Sequence, residues 1–253
     1  MARRNRRHRR HQRTQHRDHR PRRGGQVTFS LLLHDPDTGE FGAAIASSSP
    51  AVSARCLNLA DGIGGVNSQN VTDPRLGGRI LDEMATGKPA QLALDSIVDQ
   101  VESEIIAYRQ ILVIDGGGNT AAHSGAEALG IFGVRTEQNA VAGGNMLKSL
   151  DVLDAFIETA LESKGRIERR LFAAFQAAFD AGGEAGPVHS AGLAVVSDAG
   201  WRVTDLRVDW AEEDPIGELG ELLDIWMPQR EDYITRGLNP VASPSYGVPG
   251  DER

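Results

Sequence analysis

Thr28-Phe29-Ser30-Leu31-Leu32-Leu33-His34-Asp35-Pro36-Asp37-Thr38-Gly39-Glu40-Phe41-Gly42-Ala43-Ala44-Ile45-Ala46-Ser47 is the stretch that decides the fold. Phe29, Leu31 and Leu33 recur at every second residue, the period of a strand that buries one face. Asp35 to Gly39 carries side chains that preset or permit turn backbone. Phe41–Ala46 is apolar and small, so the whole reads as a β-hairpin, and hairpin strands run antiparallel.

The same grammar extends toward the C-terminus. Gly62–Val66 reads as a glycine-rich strand. Helices are expected from about Leu76 to Ala85, ended by Gly87, and from Pro89 to about Glu104, with Leu92, Ile97 and Val101 on one stripe. Gln110–Asp115 and Thr120–Ser124 flank Gly116-Gly117-Gly118-Asn119 as a second hairpin. Because a strand follows it, that glycine run is no dinucleotide fingerprint. A strand near Asn139–Ala142 leads into a loop, Gly143-Gly144-Asn145-Met146. Ser149 is placed to cap a helix with Leu150, Leu153, Phe156, Ile157 and Leu161 on one side. A further helix spans about Ile167 to Ala181. His189–Ser197 and Trp201–Val208 form a third hairpin, and Pro215 opens a helix ending near Trp226.

Paired strands separated by paired helices do not fit a βαβ alternation. They predict an α+β fold, a four-layer αββα sandwich of two stacked antiparallel sheets. One domain is expected over 28–228, of a size to bury a sizeable core. Residues 229–253, rich in Pro, Gly and Ser, read as an extended or disordered arm. With Trp226, Pro228 and Tyr233 at its root, that arm suits contact with a second copy in a homodimer.

Upstream the composition changes abruptly. Residues 1–25 hold eleven Arg, four His and one Asp, about +10, against −8 for all 253 residues. Residues 26–253 are therefore near −18, an acidic body that repels nucleic acid. Residues 1–27 read as a disordered leader, and either as translated sequence ahead of the native start or as a basic tail. No apolar run follows the arginines at signal length, and none reaches membrane-helix length, which predicts a cytoplasmic protein. The single cysteine, Cys56, excludes an internal disulfide and a cysteine-based metal cluster. It reads as a small core residue. No metal and no other cofactor is expected.

Val27 can be encoded by a start-capable codon, and an initiator Met is commonly trimmed before a residue as small as Thr. Thr28 would then open the mature chain. An N-terminal threonine is a self-contained catalyst: its hydroxyl attacks, and its α-amine, with a reference pKa of about 7.7–8.0, is the base. Self-cleavage at the Val27–Thr28 bond would lead to the same chain.

The ordered motifs resemble those of the domain-of-unknown-function family 1028. They are Thr28-Phe29-Ser30, Asp35-Pro36-Asp37-Thr38-Gly39-Glu40, Gly42 to Ser47, Ser68-Gln69, Asp73-Pro74-Arg75-Leu76-Gly77, Ala122-His123-Ser124-Gly125, Gly144-Asn145-Met146-Leu147, Asp205 to Asp209 and Asp214-Pro215-Ile216. The resemblance spans about residues 27–226 and implies an N-terminal-nucleophile (Ntn) hydrolase fold with Thr28 as the leading residue.

The expected chemistry is hydrolysis of an amide or related C–N bond of a small polar substrate through an acyl-enzyme. Thr28 is the expected nucleophile and Ser47 a partner of its amine. Gly144 and Asn145 are candidates for an oxyanion hole, where loss of one donor typically costs ~10²–10³ in rate. Gln69, Arg75, His123 and His189 are candidate substrate contacts, with Arg75 suited to clamp a carboxylate. Two other readings stay open. One is a catalytically silent ligand-binding protein in which residues 1–27 remain attached and acylate the amine. The other is an acidic body tethered to nucleic acid through residues 1–25.

Overall fold

The computed structural model describes residues 28–250. Strands β1 (Thr28–Asp35) and β2 (Glu40–Ser47) form the expected hairpin, in register from Thr28 opposite Ser47 to Asp35 opposite Glu40. Its turn closes with the Gly39 N–H donating to the Asp35 carbonyl at 2.8 Å. Gly39 stands at φ 74°, a left-handed value open to a residue without a Cβ.

There follow α1 (Val52–Cys56), β3 (Leu57–Ala60), β4 (Gly64–Asn70), α2 (Arg75–Ala85), α3 (Ala90–Val98), α4 (Ser103–Ile106), β5 (Arg109–Asp115) and β6 (Thr120–Ser124). The second half contains β7 (Gly133–Glu137), β8 (Ala140–Asn145), α5 (Asp151–Glu162), α6 (Ile167–Asp180), β9 (Ser190–Val196), β10 (Arg202–Val208), α7 (Pro215–Trp226) and α8 (Arg230–Leu238). One sheet has the order β10-β9-β2-β1-β8-β7 and the other β3-β4-β5-β6. Every strand pairing is antiparallel.

Alternation along the strands sorts side chains into three apolar layers. Phe29, Leu31 and Leu33 point to one side of β1 and pack with α5, α6 and α7 through Phe156, Phe175 and Leu219. Leu32 points to the other side and meets Leu112 and Ile114 of the second sheet. Val66, Ile111 and Val113 cover the outer face of that sheet beneath Leu76, Ile80 and Leu94 of α2 and α3. The fold is an α+β sandwich of two antiparallel sheets between outer helical layers.

Several details differ from the sequence reading. The helix expected to run from Pro89 to Glu104 ends at Val98, where Gln100 and Val101 N–H groups bond three residues back. Strand β7 is partly exposed, an edge strand without a buried alternating face. Gly143-Gly144-Asn145 is not a loop but the end of β8. A Cβ on Gly143 would stand 2.7 Å from Leu112 Cδ2, and one on Gly144 would stand 2.6 Å from Leu147 Cδ2. These glycines serve close approach within a sheet rather than a turn.

The segment 229–253 is not wholly extended, because α8 folds it back. Arg230, 3% exposed, reaches Glu168 at 2.5 Å and also pairs with Glu40. The expected leader, 1–27, lies outside the described residues. Among the described residues no helix is long and apolar enough to cross a membrane.

Candidate functional site

Directly opposed residues in neighbouring strands share a face. Ser190 of β9 pairs with Ser47, Ser47 with Thr28, and Thr28 with Asn145 of β8. The first row of the six-stranded sheet is therefore Ser190–Ser47–Thr28–Asn145, all on the face turned toward the other sheet. Thr28 is 5% exposed and the other three are fully buried.

The hydroxyls form a chain. Thr28 Oγ1 lies 3.2 Å from Ser47 Oγ, and Ser47 Oγ lies 2.9 Å from Ser49 Oγ. The Ser49 N–H also donates to Ser47 Oγ at 3.1 Å, and Arg55 Nη2 donates to Ser49 Oγ at 2.7 Å. Ser190 anchors the loop by donating to the Ser49 carbonyl at 2.6 Å and accepting the Val52 N–H at 3.3 Å. Ala51, at φ 51° and ψ 44°, bends the chain so that the short α1 brings Arg55 back beneath that loop. Left-handed backbone on a residue with a Cβ is a strained conformation that the surroundings must hold. Sequence reasoning passed over Ser49 and Arg55, whose link to Thr28 depends on this bend.

Opposite the row stand Gln69 of β4 and Gln110 of β5. Their amides are oriented by main-chain carbonyls, which can only accept. Gln110 Nε2 donates to Gly144 O at 3.1 Å and Gly133 O at 3.2 Å, so its Oε1 is left to accept. It accepts from Gln69 Nε2 at 2.9 Å and from Asn145 Nδ2 at 3.3 Å. Gln69 Nε2 also donates to Gly143 O at 3.2 Å, and Gln69 Oε1 accepts from Ser30 Oγ at 2.5 Å.

Three side-chain amide atoms remain unsatisfied in this seam. Asn145 Oδ1 and both amide atoms of Asn67 are buried without a protein partner among the described residues. Asn67 lies two residues from Gln69 on β4 and so shares its face. Buried polar atoms are normally bonded, and orphaned ones carry capacity for a ligand. Asn145 spends one N–H on Gln110 and keeps its oxygen open, a different presentation from the pure N–H donor expected of it. Gly144, its neighbour in β8, places its carbonyl in the same network.

The remaining sequence candidates divide. His189 borders the row: its N–H donates to Ser47 O at 2.9 Å, and its ring stacks on Trp210 at 4.4 Å. Its Nδ1 lies 2.8 Å from Ala211 O. A carbonyl only accepts, so Nδ1 is the donor in this bond. His123 stands elsewhere. It is opposite Ile111, which faces the helical layer, and its Nε2 is 3.3 Å from Ile106 O. Arg75 is 85% exposed and gives its fork to Asp73 at 2.9 and 2.7 Å. That fork holds Asp73 down at about 2. Two cavities, of about 400 and 300 Å³, open away from Thr28, beside Lys88 and Asp115 and beside His34 and Arg170. The second adjoins the far end of β1, roughly 23 Å from Thr28 at ~3.3 Å per residue.

Residues 28–219 match a family of unknown function, DUF1028. The chain belongs to that family. It is similar to protein SPO2555 from Silicibacter pomeroyi, described as a DUF1028 protein, whose crystal structure superposes with a TM-score of 0.72. The two are 34% identical over 79% of this chain and 88% of the other. No functionally curated protein matches.

The DUF1028 match opens at Thr28, the residue at the centre of the polar row. A buried acid adjoins that row. Glu184, 7% exposed, pairs through its backbone with Leu147, two residues beyond Asn145. Burial pushes its carboxyl up to about 9, with the Ser48 backbone N–H acting in the opposite sense. Glu184 is thus neutral at physiological pH. Cys56 is likewise buried, its thiol pushed up to about 11, too high for a thiolate nucleophile near neutral pH.

Proposed function

We propose that this protein is an N-terminal-nucleophile amidohydrolase whose nucleophile is the Thr28 hydroxyl. The observation that carries the reading is Thr28 itself: a buried hydroxyl between Ser47 and Asn145, joined by hydroxyls to Arg55. With Thr28 as the first residue, its α-amine takes the hydroxyl proton as the oxygen attacks the substrate carbonyl carbon. The C–N bond then breaks, the leaving amine carries that proton away, and the acyl group stays on Thr28 Oγ1. Water cleaves the ester and restores the hydroxyl.

The surroundings support this chemistry. Ser47 can donate to the attacking oxygen while Arg55, through Ser49, polarises the hydroxyl chain. The spare N–H of Asn145, the cross-strand neighbour of Thr28, is a neutral donor suited to a developing oxyanion, where low dielectric strengthens the bond.

Protein shown by intact mass to begin at Thr28 should hydrolyse members of a panel of small amides. Thr28→Ala should lose that turnover by at least about 10³ while keeping its circular dichroism. Thr28→Ser should retain part of it. Turnover by Thr28→Ala at the parent rate would sink the reading.

A further inference from the structure

Arg55 is held differently from Arg75 near the Thr28 end of the sheets. Arg75 is closed by a bidentate pair with Asp73. Arg55 has no carboxylate partner among the described residues. Its Nε donates to Pro50 O at 3.3 Å, and its Nη2 donates to Pro50 O at 2.9 Å and Ser49 Oγ at 2.7 Å. A guanidinium has five N–H donors. Three are used on this loop, and the two on Nη1 are left for another acceptor. Arg55 is only partly buried.

Its position is set by chemistry already on the same path. Three hydrogen bonds, each of roughly 3 Å, lead from Arg55 through Ser49 and Ser47 to Thr28 Oγ1. Arg55 Nη2 therefore lies no more than about 9 Å from Thr28 Oγ1, a separation that a small substrate can span. Gln69 and Gln110, which stand opposite the row in the other sheet, are neutral and supply no competing charge. Glu184, the acid beside the row, is kept neutral by burial.

We infer that Arg55 is the substrate-carboxylate site, and that the substrates are amides carrying a carboxylate a few bonds from the scissile carbonyl, as in N-acyl amino acids. This rests on the Thr28 reading for the word substrate, but the binding it describes does not require turnover. Arginine suits the task because it stays charged and offers donors at fixed angles to planar oxygens. The clamp that sequence reasoning sought at Arg75 is thereby assigned to a residue twenty positions earlier.

Binding of N-acetylglycine and of neutral N-acetylglycinamide to the full chain, compared by calorimetry, tests this. The carboxylate should bind about tenfold or more tightly than its neutral analogue. Arg55→Gln should bring that ratio to within about twofold of one, whichever way affinity for the neutral compound moves. Arg55→Lys, which keeps charge but loses the planar fork, should fall between. A role limited to holding the Pro50 loop would weaken both ligands alike and preserve the ratio. No preference in the parent protein, or an unchanged ratio in Arg55→Gln, overturns the inference. Thr28→Ala keeps the preference if the inference holds. Its turnover separately decides the nucleophile, so the two claims fail in different measurements.

Discussion

Between the two sheets, the face of β1 changes character within four residues. Thr28 and Ser30 stand among Ser47, Asn145, Gln69 and Gln110, whereas Leu32 on the same face stands among Leu112, Ile114 and Val141. Both regions are fully or nearly fully buried. Apolar burial at the Leu32 end stabilises at about 25 cal/mol per Å². The polar end offers no such return, since each buried amide or hydroxyl costs free energy unless its bonds are remade. The comparison separates duties: one end of the seam holds the sheets together, and the other holds hydrogen-bonding groups in place. Orphaned atoms occur on Asn145, in the polar row, and on Asn67, the cross-strand neighbour of Leu112 where the two regions meet.

The largest stability effect should therefore come from the apolar end. Leu112→Ala removes a fully buried side chain packed against Gly143 and should cost about 2–5 kcal/mol in denaturant unfolding. A cost similar to that of a surface change would erase the distinction. At the polar end, Gln69→Ala strands the Ser30 hydroxyl and opens an acceptor on Gln110. Its expected cost is about 1–3 kcal/mol, accompanied by a larger loss of ligand affinity than Leu112→Ala produces. The smallest effect belongs outside both regions. Arg75→Ala should leave the Tm and ligand binding close to the parent values, because Arg75 is exposed and an ion pair made by an exposed side chain contributes little.

Much of this architecture could be read from residues in order. The hairpins were legible because strand period and turn chemistry coincide at Phe29–Ala46 and Gln110–Ser124. The helix over Asp151–Glu162 was legible from Leu153, Phe156 and Ile157, which are buried, whereas Leu150 and Leu161 of the expected stripe are exposed and Val152 and Ala160 fill their places. Gly143-Gly144 was ambiguous, since glycine serves a turn and a close approach equally, and only Leu112 and Leu147 decide between them. Helix α8 was hidden because an arginine anchors it: Arg230 enters a pocket of Glu40 and Glu168 and leaves no apolar signal in the sequence.

Thr28, Ser47, Asn145 and Gln69, singled out through ordered motifs rather than period, lie together in the fold. Its connections were not. Gln69 meets Ser30 and Gln110 across separations of 39 and 41 residues, and Gly143 across 74. Arg55 is only six residues from Ser49, but their contact depends on the left-handed turn at Ala51. Alanine carries no preference for that turn, so the local sequence does not announce it. His123 shows the converse: a strand histidine among small residues reads as a site candidate, and pleat parity turns it toward the helices.

The central claim is that Thr28 Oγ1 takes up an acyl group. The most direct measurement exposes protein beginning at Thr28 to a strained β-lactone, whose ring-opening acylates a reactive hydroxyl, and maps the adduct by peptide mass spectrometry. The account predicts one equivalent of acyl group on Thr28, no adduct in Thr28→Ala, and slowed labelling in Arg55→Gln. A stoichiometric adduct on another residue, persisting unchanged in Thr28→Ala, would contradict it.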